Sequence, residues 1–298
     1  MSLRALLIAN PAAGFRPAGE RAEQAARRLT ALGLQVDLHR TVGPGDAELA
    51  ARGASGRYEW VIAAGGDGTL HEVANGLAGT ATPLGVIPLG SMNILARELG
   101  MPLDVDGSCG WLVRARAEPV TLGWRGGRYF VLMAGAGYDA FALEAALARA
   151  RAAGRKVRFS DYVLAATMDA GSYDFPAIVA ESERWSGSGA FAIVANCARY
   201  GANLRIAREA RLEEPLLDLV LFRDGSLPAR LRYFAAILAG RHLSMRGVEY
   251  RKAEALTLSS AGGARVPCQL DGECSDPLPA AIRAVPNALH LLRRGSGR

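Results

Sequence analysis

The chain has 298 residues, of which half are hydrophobic and 21% charged, with a net charge of +6. This composition excludes a disordered chain, and the length suggests two domains. No uncharged apolar run reaches the roughly 18 residues that a membrane-spanning helix needs, and the apolar start reads as a buried strand rather than a signal peptide, so the expected compartment is the cytoplasm.

The first hundred residues alternate regularly. Leu3 to Ala9 is a short apolar run that ends in the loop Asn10 to Gly14. A helix is expected from Gly19 to Leu32, where Ala22, Ala25, Ala26 and Leu29 recur at helical spacing. Leu34 to Thr41 alternates like a strand, Asp46 to Arg52 is helical, and Trp60 to Ala64 and Leu84 to Ile87 read as buried strands. Strands alternating with helices imply a Rossmann-like α/β domain, a parallel sheet with helices on both faces, whose ligands bind beyond the carboxyl ends of the strands.

Near Pro119 the texture changes. Val120 to Trp124 and Tyr129 to Met133 flank Gly126-Gly127 as a hairpin. Short strands follow at Ala177 to Ser182, Gly189 to Asn196, Leu216 to Phe222, Ala255 to Ser260, Val266 to Leu270, Ala281 to Val285 and Ala288 to Leu292. Helices are expected at Ala140 to Ala152 and Leu227 to Ala239. The pattern predicts an α/β domain over residues 1–120, a β-sandwich-like domain over 121–292 and a tail over 293–298.

The charged and sulfur-bearing residues narrow the chemistry. Only Lys156 and Lys252 are lysines, and neither follows a glycine, so a Gly-Lys-Ser/Thr phosphate loop is absent. Phosphates would be held by backbone amides and arginines. No basic stretch is interleaved with aromatics, which argues against nucleic acid and leaves an anionic membrane surface or anionic substrates. Cys109, Cys197, Cys268 and Cys274 lack zinc spacing and read as free thiols. His71 reads as a helix-surface or supporting imidazole.

The sharpest motif is Gly65-Gly66-Asp67-Gly68-Thr69. Its glycines let the backbone approach a ligand, and a helix N-terminus after such a loop favours phosphate. Thr69 and Glu72 have capping-box spacing, which predicts a helix beginning at Thr69. Asp67 beside phosphates is tolerable when a cation bridges them, and this points to Mg²⁺. The alternative is a tight turn whose Asp bonds its own backbone. Asn10 to Gly14 and Pro88 to Asn93 form two further loops after strands. Ser91 and Asn93 could face phosphate, cap the next helix, or both.

Together Asn10 to Gly14, Gly65 to Thr69, Pro88 to Arg97, Ala134 to Ala140, Asn196 to Ile206 and Leu270 to Glu273 resemble the diacylglycerol kinase catalytic-domain family, which includes sphingosine, ceramide and related bacterial lipid kinases. The resemblance implies an ATP- and Mg²⁺-dependent transfer of the γ-phosphate to a hydroxyl of a membrane lipid, diacylglycerol-like or sphingoid/ceramide-like. It implies nucleotide binding by Asn10, Gly14, Gly65, Gly66, Asp67, Gly68, Thr69, Ser91 and Asn93, with Asp67 near the metal. Asp271 would take the acceptor's proton, Asp139 would support the same site, and Glu273 would be a polar partner. Read without the family, Asp271-Gly272 is a hairpin turn. With Asp271 solvated in a cleft, its replacement by Asn is expected to leave melting almost unchanged.

Three departures stand out. Ser91 replaces the usual Thr, Ile94 stands where many members carry Asp, and Glu213-Glu214-Pro215 with Asp218 downstream replaces an acidic turn that holds a second, structural Mg²⁺. Pro215 cannot adopt the glycine conformation, which argues against that second site. The run Arg149, Arg151, Arg155, Lys156 and Arg158 is either a solvated basic face or a membrane-facing surface, and the latter implies peripheral association with the inner face of the membrane. The alternatives are an NAD-kinase-like enzyme with a soluble substrate and a catalytically weak lipid-binding regulatory protein. A homodimer is compatible with the sequence, and the lipid is not specified by it.

Overall fold

The computed structural model describes residues 3–14, 18–155, 157, 159–168, 176–201 and 204–294. The first half contains β1 (Arg4–Ala9), α1 (Ala18–Ala31), β2 (Gln35–Arg40), α2 (Asp46–Ala54), β3 (Trp60–Gly65), α3 (Asp67–Leu77), β4 (Leu84–Pro88), α4 (Ile94–Glu98) and α5 (Val105–Leu112). β5 (Arg116–Arg125) and β6 (Arg128–Phe130) form the expected hairpin around Gly126 and Gly127, both at positive φ. Then come β7 (Met133–Ala136), α6 (Tyr138–Ala152), α7 (Phe159–Met168), β8 (Ile178–Ser182), β9 (Trp185–Gly189) and β10 (Phe191–Ala195). β11 (Arg199–Tyr200), β12 (Leu204–Arg205), β13 (Leu217–Phe222), α8 (Leu227–Leu238), β14 (Val248–Ala253), β15 (Ala255–Ser260), β16 (Cys268–Leu270), β17 (Glu273–Ser275) and β18 (Ala280–Arg293) complete the chain.

β2, β1, β3 and β4 are parallel neighbours in that order, as the strand–helix alternation requires. α1 and α5 cover one face through Ala22, Ala25, Leu29, Val105 and Leu112. α2 and α3 cover the other through Ala47, Ala51, Val73, Ala74 and Leu77. α2 and α3 approach closely enough that a Cβ on Gly76 would lie 2.4 Å from the Glu48 carbonyl oxygen.

The second half is antiparallel. β14-β13-β10-β7-β16-β17 form one sheet, whose apolar face packs on β8, β15 and β18 through Ala134, Val194, Leu219, Leu221, Ile178, Leu258 and Ile282. This is the β-sandwich-like architecture. The two halves share a sheet, because β18 pairs with β5 and β15 and its end runs parallel to β4.

Several sequence expectations change. Ala281 to Val285 and Ala288 to Leu292 are one strand, β18, whose register shifts between Val285 and Leu289, with Asn287 at φ 55°. The interruption is a bulge rather than a turn. α5, with Gly107 and Gly110, and α7 were not expected, nor were β9, β14 and β17. No helix among the described residues is long and apolar enough to cross a membrane.

Candidate functional site

The three loops predicted to converge do so. At the end of β3, the Gly65 carbonyl accepts from Leu89 N and Gly90 N in the loop after β4. Asn10 N donates to the Ala64 carbonyl, which pins the loop after β1 to the same strand end. Within that loop Asn10 Oδ1 accepts from Ala12 N at 2.8 Å. Gly14 lies at φ +63°, and a Cβ there would fall 2.5 Å from the Leu89 carbonyl oxygen. A Cβ on Gly90 would fall 2.4 Å from Gly66 Cα. Backbone meets backbone at both points, so only glycine fits.

α3 begins at Asp67, not Thr69, with Gly66 at its N-cap and no side chain capping it. The expected capping box does not form, because Glu72 is engaged elsewhere. Its carboxylate accepts from Gly45 N at 3.0 Å and Ala47 N at 3.1 Å, and so caps α2. Asp67 likewise caps a neighbour, with Oδ1 accepting from Ile94 N, the first amide of α4, at 2.7 Å. Both acids of this segment serve adjacent helices, while the glycine-bordered start of α3 carries no side-chain acceptor. A helix N-terminus of this kind suits an anion.

Asn93 takes the left-handed conformation at φ 49° and bonds Gly90 twice, accepting from its N and donating to its O, each at 2.9 Å. It therefore shapes the third loop and does not cap α4 with its side chain. Ser91 is exposed and Thr69 is buried. Burial pushes the Asp67 carboxyl up to about 6. The Ile94 amide opposes that shift and the Asp271 charge adds to it.

Asp271 and Gly272 form the two-residue turn between β16 and β17, at φ 50° and 87°. The hairpin reading is thus correct as structure, and the turn also aims its carboxylate inward. Oδ1 accepts from Leu132 N (2.8 Å) and Met133 N (2.9 Å), and Oδ2 accepts from Val131 N (2.7 Å). His71 Nδ1 lies 3.1 Å from Oδ2, and the two side chains are only 2% and 1% exposed. This corrects one expectation, because Asp271 is not solvated, and decides another: of the two readings of His71 the supporting imidazole holds, joining α3 to the late Asp-Gly-Glu. Burial tends to lower the His71 pKa, but the Asp271 hydrogen bond and charge together raise it.

Asp139, near the start of α6, is tied to the same turn. Gln269 Nε2 donates to Asp139 Oδ2, and Gln269 Oε1 accepts from Gly272 N, each at 2.8 Å. Tyr162 and Tyr200 donate to Asp139 Oδ1. The hydroxyls of both tyrosines are pushed well up by burial and by the Asp139 charge. Gln269, Tyr162 and Tyr200 were not singled out in the sequence. Gln269 sits two residues before Asp271, and that was its one signal.

Glu273 is exposed and lines a cleft of about 440 Å³ with Asn10, Thr41, Gly68, Thr69 and Glu72, among others. A Cβ on Gly68 would lie 3.3 Å from Glu273 Oε1. The late motif therefore borders the glycine loop. Partial burial raises the Glu273 carboxyl, and the His71 charge opposes this.

Elsewhere, Lys252 Nζ lies 2.5 Å from Glu214 Oε2 and 3.8 Å from Asp218 Oδ1, while Glu213 pairs with Arg293. An ammonium thus sits among the carboxylates of the replaced acidic turn. Of the basic run, Arg155 is paired with Asp161 at 2.6 Å, Arg151 is exposed, and Lys156 and Arg158 lie outside the described residues. Cys109, Cys197 and Cys268 are buried free thiols and Cys274 is an exposed one. No group of three or more His, Cys, Asp or Glu among the described residues could cage a metal.

Residues 4–124 match the family model described as diacylglycerol kinase catalytic domain, and residues 133–293 match the YegS C-terminal NAD kinase beta sandwich-like domain. A Mycobacterium tuberculosis (strain H37Rv) protein named diacylglycerol kinase is 31% identical, with 97% of this chain and 95% of that protein covered. A Bacillus subtilis (strain 168) protein of the same name is 28% identical over 97% and 96% of the two chains. The crystal structure of a putative diacylglycerol kinase from Bacillus anthracis str. Sterne superposes with a TM-score of 0.79 at 18% identity, covering 99% of this chain and 98% of that one. The chain belongs to the diacylglycerol kinase catalytic-domain family.

Proposed function

We propose that this member of a lipid-kinase family moves the γ-phosphate of ATP onto a hydroxyl of a bilayer lipid, of the diacylglycerol or sphingoid/ceramide type. The observation that carries the reading is the docking of the late Asp-Gly-Glu turn on the glycine loop: Asp271 bonds His71 of α3, and Glu273 borders Gly68. Phosphoryl transfer needs chiefly positioning, charge neutralisation and a carboxylate to orient the nucleophile. The main-chain amides of the three loops and the start of α3 would hold the phosphates.

Mg²⁺ fits this donor set. Asp67 is a carboxylate that burial keeps near pH 6 and that a cation would favour in its charged form. Mg²⁺ is commonly bound by one or two carboxylates together with substrate phosphates, so a three-ligand cage is not required. Asp67 would hold the ion, which would supply neutralisation of phosphate charge.

In the transfer, the acceptor oxygen bonds to the γ-phosphorus, the bond to the bridging oxygen breaks, ADP leaves, and the hydroxyl proton passes to Asp271. A second reading gives that proton to Glu273. The observation favouring it is exposure, because Asp271 is enclosed by four donors while Glu273 faces the cleft.

The test is transfer of label from [γ-³²P]ATP with Mg²⁺, offered diacylglycerol in mixed micelles and, separately, NAD. Label should enter the lipid extract. Label found only in the NAD fraction, or in neither, overturns the reading.

A further inference from the structure

α8 carries an apolar stripe that none of the described residues covers. Leu227, Leu231, Phe234 and Leu238 recur at i, i+4, i+7 and i+11, which places them on one helical face. They are 54%, 60%, 53% and 63% exposed. The opposite face is anchored: Ala229 and Tyr233 are buried, and the Tyr233 hydroxyl donates to the Gly247 carbonyl at 3.0 Å. The helix is thus fixed with its apolar side outward.

Charge chooses among occupants. Between Asp224 and Glu249 the chain has no acidic residue and carries Arg230, Arg232, Arg241 and Arg246. Of these, Arg232, Arg241 and Arg246 are exposed. A second copy of this helix would bring like charges together. An anionic bilayer would accept the leucines and phenylalanine below its headgroups and the guanidinium groups among its phosphates. Position agrees, since the Arg230 guanidinium stacks over the Tyr138 ring at 4.7 Å and Tyr138 adjoins Asp139. α8 therefore lies beside the side of the site read as the lipid acceptor's.

We propose that the Leu227-Leu231-Phe234-Leu238 face of α8 is an interfacial docking surface for anionic bilayers, lying in the headgroup plane. Its purpose rests on the reading of the acceptor as a bilayer lipid. Vesicle binding needs no catalysis, however, so either reading can fail without the other. The surface differs from the Arg149 to Arg158 run, where Arg155 is committed to Asp161.

The experiment is flotation of the full chain with vesicles of phosphatidylcholine containing phosphatidylglycerol, and with phosphatidylcholine alone. Wild type should float with the anionic vesicles. L231Q/F234Q should bind about tenfold more weakly or worse, with an unchanged melting temperature. R232Q/R241Q should lose the preference for anionic lipid. F234W should be quenched by brominated acyl chains, which reads insertion directly. Unchanged flotation of L231Q/F234Q, or no quenching of F234W, overturns the proposal. So does a wild type that ignores vesicles but sediments as a dimer that L231Q/F234Q breaks, which would assign the face to a second copy.

Discussion

The two sides of the cleft are built from different material. On the β1–β3–β4 side the loops meet main chain to main chain, with Gly14 against Leu89, Gly66 against Gly90, and Leu89 and Gly90 on the Gly65 carbonyl, and the side chains of Asn10, Asp67 and Asn93 bond backbone groups there. Across from it the contacts are side-chain networks, running from His71 through Asp271 and from Gly272 through Gln269 to Asp139 and two tyrosines. The first side depends on the absence of Cβ atoms, the second on particular charges and donors. Substitutions should therefore fail differently on the two sides.

The largest expected effect is on the side-chain side. Asp271→Asn places an amide NH₂ where an oxygen now accepts, so turnover should fall by about 10²–10⁴-fold. At least one buried donor would lose its partner, so melting should also drop, by about 1–3 kcal/mol of stability. Glu273→Gln, exposed in the cleft, should leave melting unchanged. If Glu273→Gln abolishes transfer and Asp271→Asn only destabilises, the proton goes to Glu273.

On the main-chain side, Gly90→Ala forces a Cβ against Gly66 Cα. Overpacking of this kind costs about 1–3 kcal/mol. Nucleotide affinity should fall, while any measured affinity for lipid vesicles stays as in wild type. Retained ATP binding in a calorimetric titration would show that the loops need not touch.

A smaller effect concerns Asp67, whose folded pKa of about 6 lies above its ordinary 3.8. A raised carboxyl means that the native state keeps a proton the unfolded chain releases. The associated stability is present below about pH 4 and lost as pH rises through 6. Asp67→Asn should therefore melt higher than wild type at pH 8, with the gap closing toward pH 4. Adding Mg²⁺ and ATP at pH 8 should stabilise wild type more than the variant. Parallel melting curves across this pH range would contradict the assignment.

The smallest effect on activity is at Arg155, whose guanidinium forms a two-pronged pair with Asp161. Arg155→Ala removes both guanidinium donors from the buried Asp161 carboxylate and should cost about 1–3 kcal/mol of stability while leaving nucleotide affinity and transfer as in wild type.

The contrast also explains what was legible. β1, β3 and β4 are short unbroken apolar runs ending in glycine-bearing loops, so their order and their common site could be read directly. β9 and β14 carry charged or polar residues along an otherwise buried sandwich and escaped notice. The Thr69–Glu72 spacing misled because Glu72 caps α2, a tertiary partner that spacing cannot reveal. The site followed the same division. Glycine loops announce themselves by composition. Gln269, Tyr162 and Tyr200 are ordinary residues until the fold gathers them around Asp139, and His71 became a partner of Asp271 only across 200 residues of chain.

The central claim is that nucleotide is held by one side and acceptor chemistry by the other. The most direct test titrates ATP with Mg²⁺ into Asp271→Asn and, on the same preparation, measures label transfer to lipid. Affinity within about twofold of wild type with transfer largely lost is the expected result, the signature of an interaction made mainly in the transition state. Affinity and transfer falling together would contradict it, and would mean that the Asp271 turn builds the nucleotide site itself.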